Sequence, residues 1–343
     1  MQINRLLTVL LILTMSVVFS CNAKGNDEPF VYVSKTRGAD KNIGTKDKPV
    51  RSLQKAFQIK SKWLEKNAKS DKVYSVYIEG TLDKKDYQWR HVLINSYTEG
   101  YNGAVIFDFA GQDCDGFTLE DDDWLNMKNV TIRNAQTGIR IWDSTGGYYN
   151  DYATHVILTN CTIENCSNSA IIVGPESHAE LTNCTFQNNT SEYSGGGIAA
   201  NGSSLIITGC TFRNNTAQKN GGAISMEHAA EKNFLGYEIT DCTFSGNKAE
   251  NGFGGAIFSI DDSFTPLNFD FVVKNSVFEN NVGAYCGGIV VNYGLNLITA
   301  NCTISGSRST SDYGAVLNYG GTIKGSFKFA DNQPENLTEV TVP

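Results

Sequence analysis

Proline and long apolar runs are both scarce in this chain. Only 6 of its 343 residues are proline, so turns must be set by other residue types. No long apolar run follows the one near the start, which excludes a membrane-spanning channel or transporter. The repeats described below show no helical apolar period, which excludes a helical solenoid. Cys-x-x-Cys, the common spacing of a zinc site, is also absent.

Basic residues are few beyond the first quarter of the chain. Residues 22–90 contain 16 Lys/Arg and 9 Asp/Glu, whereas residues 91–343 contain 11 and 27. The second part therefore carries a net charge of 11 − 27 = −16, which repels polyanions and argues against a nucleic-acid partner. The 33 glycines and 34 asparagines tolerate left-handed backbone angles, so the chain is expected to turn often.

The first residues have the pattern of a bacterial secretion leader. Arg5 precedes an apolar stretch that runs from Leu6 to Phe19 and ends in Ser20 and Cys21. Val18 to Cys21 resembles the lipobox, in which the cysteine is lipidated and becomes the first residue of the mature protein. This predicts a signal peptide over 1–20, a lipid anchor on Cys21 and a polar tether over 21–28. The alternative is an ordinary secretion signal with an incidental cysteine.

The lipobox resemblance implies a place in the cell. We expect a monomer at a Gram-negative cell envelope, bound to the outer membrane through its lipid and exposed on the cell surface or facing the periplasm.

Two short motifs alternate along most of the chain. The first is an Asn-Cys-Thr-Phe type of run, with copies at 160–163, 183–186, 209–212, 241–244, 275–278 and 301–304. The second is a Gly-Ala-Ile type of run, with copies at 138–139, 170–171, 196–198, 222–224, 255–257, 287–289 and 314–316. Successive copies of the first motif are 23 to 34 residues apart. A spacing of 23 suits three short strands and three turns in one coil of a solenoid.

These repeats predict an all-β fold, a right-handed parallel β-helix over 71–343, because stacked coils form one continuous core. Period-2 alternation places Cys and Phe of the first motif on one inward face. Two residues after the Phe position, several copies carry an asparagine: Asn165, Asn188, Asn214 and Asn280. We expect the side chains of these asparagines to hydrogen-bond from one coil to the next. An amphipathic helix over Arg51–Lys66 predicts an N-terminal cap over 29–70.

The motifs also carry a family resemblance. The Gly-Gly-Ala-Ile and Phe-x-x-Asn copies are similar to the repeats of chlamydial polymorphic outer membrane proteins. The segment from Phe30 to Ala56, with Gly38-Ala39-Asp40 and Pro49, looks like the opening of pectate-lyase-like β-helix proteins. The resemblance implies the fold, whereas the matching residues are packing and turn residues that do not specify a chemistry.

Cysteines and acidic residues offer two further possibilities. Cys161, Cys184, Cys210, Cys242 and Cys302 share one repeat position, which favours an inward ladder of thiols over disulfides or a metal cluster. The acidic stretch from Asp113 to Asp123 could hold calcium through carboxylate oxygens, although a solvated loop is the simpler interpretation.

A polar stripe is expected where the second-motif strands end. These positions are Trp142, Asn201, Glu227-His228, Asp261-Asp262, Asn292-Tyr293 and Tyr319. Aromatic faces with amide and carboxylate neighbours suit sugar rings and hydroxyls. We therefore expect a polysaccharide partner, with Trp142, Asn201, Asn292 and Tyr319 as substrate-binding residues.

The first chemistry that fits is β-elimination from a uronic-acid chain, such as a pectin or a glycosaminoglycan. A base must remove the C5 proton while a cation or proton donor neutralises the sugar carboxylate. His228 or Tyr293 could be the base, and Arg140 could be the neutralising group. The expected activity is therefore that of a polysaccharide lyase.

Calcium is the alternative neutralising group, held by Glu227, Asp261 and Asp262. The same carboxylates could instead serve a glycoside hydrolase, with Glu227 and either Asp261 or Asp262 as the facing pair. The third hypothesis is a surface glycan-binding protein or adhesin without catalytic activity. The negative charge of residues 91–343 disfavours an acidic substrate. The lyase, hydrolase and binding hypotheses therefore all stay open.

Overall fold

The computed structural model describes residues 29–82, 84–103, 105–142, 154–228, 236–261, 269–292, 295–311, 313–334 and 336–340. The signal peptide, Cys21 and the tether lie outside these residues. Every strand pairing within the described part is parallel. Three stacked sheets result, so the predicted parallel β-helix is confirmed.

Sheet 1 has nineteen strands, most of them two to a coil, and begins at the N-terminal end of the solenoid. Its strands are β1 (Phe30–Ser34), β2 (Ser75–Glu79), β3 (Thr81–Leu82), β4 (Tyr97–Gly100), β5 (Val105–Asp108), β7 (Trp124–Lys128), β8 (Val130–Arg133), β10 (His155–Thr159), β11 (Thr162–Glu164), β13 (His178–Thr182), β14 (Thr185–Gln187), β17 (Ser204–Thr208), β18 (Thr211–Arg213), β21 (Tyr237–Thr240), β22 (Thr243–Ser245), β25 (Phe269–Lys274), β26 (Val277–Glu279), β29 (Leu295–Ser305) and β32 (Thr322–Ala330).

Sheets 2 and 3 complete each coil. Sheet 2 has nine strands: β6 (Phe117–Glu120), β9 (Ile139–Trp142), β12 (Ile171–Val173), β16 (Ile198–Asn201), β20 (Ile224–His228), β24 (Ile257–Asp261), β28 (Ile289–Asn292), β31 (Val316–Tyr319) and β33 (Leu337–Val340). Sheet 3 has five short strands: β15 (Thr190–Ser191), β19 (Thr216–Ala217), β23 (Lys248–Ala249), β27 (Val282–Gly283) and β30 (Arg308–Ser309).

The first motif forms the bend between the two sheet 1 strands of a coil. Asn160 and Asn183 have φ angles of 52° and 53°, a left-handed conformation in which Asn is tolerated. Gly209 takes the same place with a φ of 66°. The following Cys and Phe then point inward, which explains why this motif recurs once in each coil.

Aromatic rings fill the middle of the core. Phe186, Phe212, Phe244 and Phe278 are fully buried and stack in sequence at centroid distances of 4.8, 4.9 and 4.7 Å. These distances match the spacing of neighbouring strands, so each coil adds one ring to the stack. The five cysteines of the repeat position are likewise buried, and all eight described cysteines are free thiols. The predicted thiol ladder is confirmed.

The predicted asparagine ladder is wrong by one residue. Asn188 and Asn214 are left-handed turn residues, and the ladder is built by the residue that follows each of them. The fully buried ladder residues are Asn189, Asn215, Asn247 and Asn281. Each of the first three donates its side-chain amide to the carboxamide oxygen of the next, over 2.9 to 3.0 Å. The same oxygens accept backbone N–H groups, so the buried turn is fully bonded.

The N-terminal cap contains one helix of four turns. Helix α1 (Leu53–Lys66) begins after Ser52, whose hydroxyl accepts the Lys55 N–H, and it buries Leu53, Ala56, Lys60 and Trp63. A short helix α2 (Lys84–Tyr87) and a 3-10 helix (Arg90–Leu93) follow. Strand β1 lies within the predicted cap, yet it pairs with β2 and is already the first strand of sheet 1. No described helix is long and apolar enough to span a bilayer.

The extra residues of the long repeats lie in the connections at one edge of the solenoid, where the chain passes from sheet 2 back to sheet 1. The connections from sheet 2 back to sheet 1 are short at 202–203 and 320–321, but long at 143–154, 229–236 and 262–268. Most residues of the long connections lie outside the described part of the chain. Their starting points, however, place all three at the edge where the polar stripe was predicted.

Candidate functional site

The strand ends of sheet 2 form one column on the outer surface. In β9, Ile139 and Ile141 are fully buried, so Arg140 and Trp142 point outward. The parallel register then carries the Trp142 position from coil to coil. The residues of this column, which we call the outer stripe, are Glu120, Trp142, Gly174, Asn201, Glu227, Ile260, Asn292 and Tyr319.

The register aligns all four predicted substrate-binding residues. Trp142, Asn201, Asn292 and Tyr319 all occupy the outer stripe, as does Glu227. Trp142 and Tyr319 are 51% and 40% exposed, which is high for aromatic residues. The side chain of Asn292 lies outside the described residues.

The predicted catalytic residues are distributed differently. Glu227 pairs with Ile260, whereas His228 pairs with Asp261 at the next position. Glu227 and Asp261 are therefore offset by one residue along their strands rather than side by side. Asp262 and Tyr293, and the side chains of His228 and Asp261, lie outside the described residues.

Gly174 leaves room for the indole of Trp142. A Cβ added to Gly174 would meet the six-membered ring of Trp142 at 3.2 Å, closer than such contacts normally come. The indole therefore lies next to Gly174, the residue that follows strand β12. Exposed Glu120 flanks it on one side, and exposed Asn201 follows Gly174 on the other. Neither Gly174 nor Glu120 was expected from the repeats, although a glycine directly after an Ile-Ile-Val strand was a usable signal.

Arg140 already has a carboxylate partner. Its Nε donates to Oδ2 of Asp115 at 2.7 Å, and its Nη2 donates to the Thr137 hydroxyl at 3.0 Å. Burial alone would raise the pKa of Asp115, but the hydrogen bond and charge of Arg140, together with hydrogen bonds from Thr137, outweigh burial and lower it. Arg140 and Asp115 are thus an ion pair at neutral pH, and a substrate carboxylate would have to compete with Asp115.

The acidic residues between Asp113 and Asp123 lie in and on both sides of strand β6. Asp113 accepts a hydrogen bond from Gln136, and Asp123 accepts one from Asn95, both at 2.9 Å. Asp121 and Asp122 are exposed. Within the described ranges no three His, Cys, Asp or Glu side chains come close enough to hold a metal ion.

A second row of aromatic residues borders sheet 2 on its opposite edge and was not predicted. Phe253 and Tyr285 stack at 4.6 Å, and Tyr193 is 63% exposed with the Lys219 ammonium 5.2 Å from its ring centre. Phe258, Val290 and Leu317 fill the space between the two edges with a small apolar cluster outside the core. The outer face of sheet 2 is therefore bordered by aromatic residues on both sides.

The basic segment 84–91 packs against the cap. Asp86 and Tyr87 are buried, and Asp86 accepts the Lys35 ammonium at 2.6 Å and the Leu53 N–H at 3.0 Å. A cleft of about 420 Å³ lies between this segment and the start of α1, next to Trp89. Carboxylates already accept the backbone N–H groups beside this cleft, so those groups are not available to a ligand. The outer stripe is therefore the better candidate site.

Comparison with known proteins places the fold in a family. The family model described as "right handed beta helix region" matches residues 115–333, which is more than half of the chain. No curated protein matches the chain. A crystal structure of a GH136 lacto-N-biosidase from Eubacterium ramulus is 10% identical, covers 86% of this chain and 67% of its own, and has a TM-score of 0.24. A score this low carries no argument about function. The family match and the three parallel sheets agree, and the chain belongs to the right-handed parallel β-helix family.

Proposed function

We propose that the protein is a carbohydrate-active β-helix that binds a polysaccharide along the outer stripe. The observation that carries this proposal is the position of Trp142, half exposed and lying next to Gly174. An exposed indole in this position offers an apolar face to a sugar ring. Asn201 and the carboxylates of Glu120 and Glu227 supply hydrogen-bonding groups for hydroxyls along the same column.

Binding to a panel of neutral and uronic-acid polysaccharides tests this proposal. Covering about 60 Å² of an apolar ring face contributes about 1.5 kcal/mol, so Trp142→Ala should lose about tenfold in affinity. Gly174→Val should weaken binding as well, because its side chain would press on the Ile141 carbonyl and on the indole. Tyr193→Ala is the matched control, since it removes an exposed aromatic ring from the opposite edge. Unchanged binding by both site variants would overturn the proposal.

Cleavage by β-elimination is the second candidate function. The observation that favours it is the register of β20 and β24, which places His228 beside Asp261 on neighbouring strands. In this proposal His228 is the base that removes the C5 proton of the uronic acid. Tyr293, and calcium held by Glu227, Asp261 and Asp262, remain part of this proposal.

The elimination product contains an unsaturated uronate, whose ultraviolet absorbance reports the reaction directly. If absorbance rises on pectic or glycosaminoglycan substrates, His228→Ala and Tyr293→Phe should each slow the reaction about a hundredfold. His155→Ala, a histidine on sheet 1, is the control and should keep full activity. If no substrate gives a signal while binding depends on Trp142, the protein is a binder or adhesin rather than a lyase.

We further propose that the protein is a lipoprotein of the Gram-negative envelope, anchored through Cys21. The lipobox pattern and the polar residues after it support this. Cys21→Ala should move the protein from the membrane fraction to the soluble fraction. A variant that stays in the membrane fraction to the same extent would overturn the anchor.

A further inference from the structure

The N-terminal end of the solenoid carries an excess of positive charge. Residues 29–72 contain 12 Lys/Arg and 4 Asp/Glu, a net charge of +8, whereas the rest of the described body is acidic. This end includes β1, α1 and the loop 41–48 between them. Charge is therefore divided along the axis of the molecule.

Helix α1 arranges part of this charge in one row. Lys55, Ile59, Lys62 and Lys66 are four, three and four residues apart, so they lie along one side of the helix. This side is next to the buried face that holds Ala56 and Lys60. The lysines thus border the cap without being part of its core.

The loop 41–48 lies against the same side of the helix. A Cβ on Gly44 would meet the Ile59 side chain at 3.1 Å, so the loop touches the middle of the lysine row. The loop adds Lys41, Lys46 and Lys48, and it exposes Ile43 by 50%. We call the combined surface the lysine face: Lys41, Lys46, Lys48, Lys55, Lys62, Lys66 and Ile43.

Four of the lysines of this face have no carboxylate partner among the described residues. Within the part of the chain that the structure describes, Lys41, Lys46, Lys48 and Lys62 form no ion pair. Asp47 is the one acidic residue in loop 41–48. Exposed ammonium groups around an exposed isoleucine are the composition that favours contact with an anionic lipid surface.

The start of the fold lies beside the lysine face. The Tyr32 N–H of β1 donates to the Gly44 carbonyl at 2.7 Å, and the Val50 N–H donates to the Tyr32 carbonyl at 2.9 Å. Strand β1 is thus hydrogen-bonded to the loop that carries the lysines. The tether residues 22–28 can span at most about 25 Å when fully extended. A lipid on Cys21 would therefore hold this end of the solenoid close to the bilayer.

We infer that the lysine face docks on an anionic membrane surface and, together with the lipid on Cys21, gives the protein two points of membrane contact. This inference rests on the proposed lipid anchor. The lipid would hold the chain at the bilayer, and basic residues near an anionic surface add electrostatic attraction that favours docking by this end. Docking by this end directs the acidic body and the outer stripe away from the lipid phosphates.

The test uses the mature chain without its lipid, residues 22–343, so that docking is measured apart from anchoring. Cosedimentation with phosphatidylglycerol–phosphatidylcholine vesicles should exceed that with pure phosphatidylcholine vesicles and should fall as salt rises. A basic residue near an anionic surface is worth about fivefold in binding. Replacing Lys46, Lys48 and Lys62 by Gln should therefore reduce binding about a hundredfold.

The matched control replaces three lysines of the body, Lys274, Lys324 and Lys328, by Gln and should bind as the unmodified chain does. Equal losses in the two triple variants, or no preference for anionic vesicles, would overturn the inference. Tight binding of soluble polygalacturonate to the lysine face, without competition from vesicles, would assign that face to an acidic polysaccharide and would also overturn it. The vesicle assay contains no lipidated protein. Its result can therefore be interpreted even if the Cys21→Ala test disproves the lipid anchor.

Discussion

Removing one asparagine of the buried ladder should destabilise the solenoid far more than removing its neighbour in sequence. The Asn215 side-chain amide donates to the Phe186 carbonyl at 2.9 Å and to Asn247 at 3.0 Å. Its oxygen accepts the Asn189 backbone N–H at 3.1 Å and the Asn189 side-chain amide at 3.0 Å. Asn215→Ala removes all four bonds from a fully buried site.

The size of the effect follows from these contacts. At about 1 kcal/mol net for each hydrogen bond, four lost bonds amount to about 4 kcal/mol. The buried Asn189 N–H left without a partner adds about 1 kcal/mol. Asn214, the preceding residue, is exposed and left-handed with a φ of 53°, so Asn214→Ala should cost only about 1 kcal/mol of backbone strain.

Urea denaturation of the two variants and the unmodified chain measures this difference in the free energy of unfolding. The Asn215 variant should lose about 5 kcal/mol and the Asn214 variant about 1 kcal/mol. If the two losses agree within about 1 kcal/mol, the ladder does not stabilise the turn as described.

Three other predictions follow from the core and the cap. Phe244→Ala should cost about 4 kcal/mol in urea denaturation, because it opens a cavity inside the ring stack, and a loss below about 1 kcal/mol would contradict that packing. Burial alone would raise the pKa of Glu79, but hydrogen bonds from Ser34, Asn102 and Arg37 lower it to about 2 from 4.5. Its contribution to stability should therefore be complete above pH 4.5 and disappear as the pH falls towards 2, and Glu79→Gln should flatten this part of the stability–pH curve. In the native mature chain, a thiol reagent such as Ellman's should reach the half-buried Cys114 first and the buried cysteines only on unfolding, and fast reaction of Cys184 or Cys210 would contradict the thiol ladder.

The inward face of the coils could be read from the sequence because its rules are local. A strand alternates sides with every residue, so the shared position of Cys184, Phe186 and their repeats fixed which side chains point inward. The asparagine ladder was harder because Asn188-Asn189 and Asn214-Asn215 are pairs in which either residue could fill either role. Gly246-Asn247 distinguishes them, since glycine takes the left-handed position and leaves Asn247 for the ladder.

The candidate site depends on register between coils, which the repeats alone leave uncertain by one residue. Asp261 aligns with His228, so Ile260 rather than an aspartate stands beside Glu227. The room for the Trp142 indole depends on Gly174, which lies on the next coil and belongs to no repeated motif. The partner of Arg140, Asp115, likewise lies on the preceding coil at a position that spacing did not indicate.

A crystal structure with a bound oligosaccharide, chosen from the polysaccharide panel, tests the central proposal most directly. We expect a sugar ring on the exposed face of Trp142, with its hydroxyls within hydrogen-bond distance of Asn201 or Glu120, in the outer stripe. An oligosaccharide bound elsewhere, with the Trp142 face left uncovered, would contradict the proposed function.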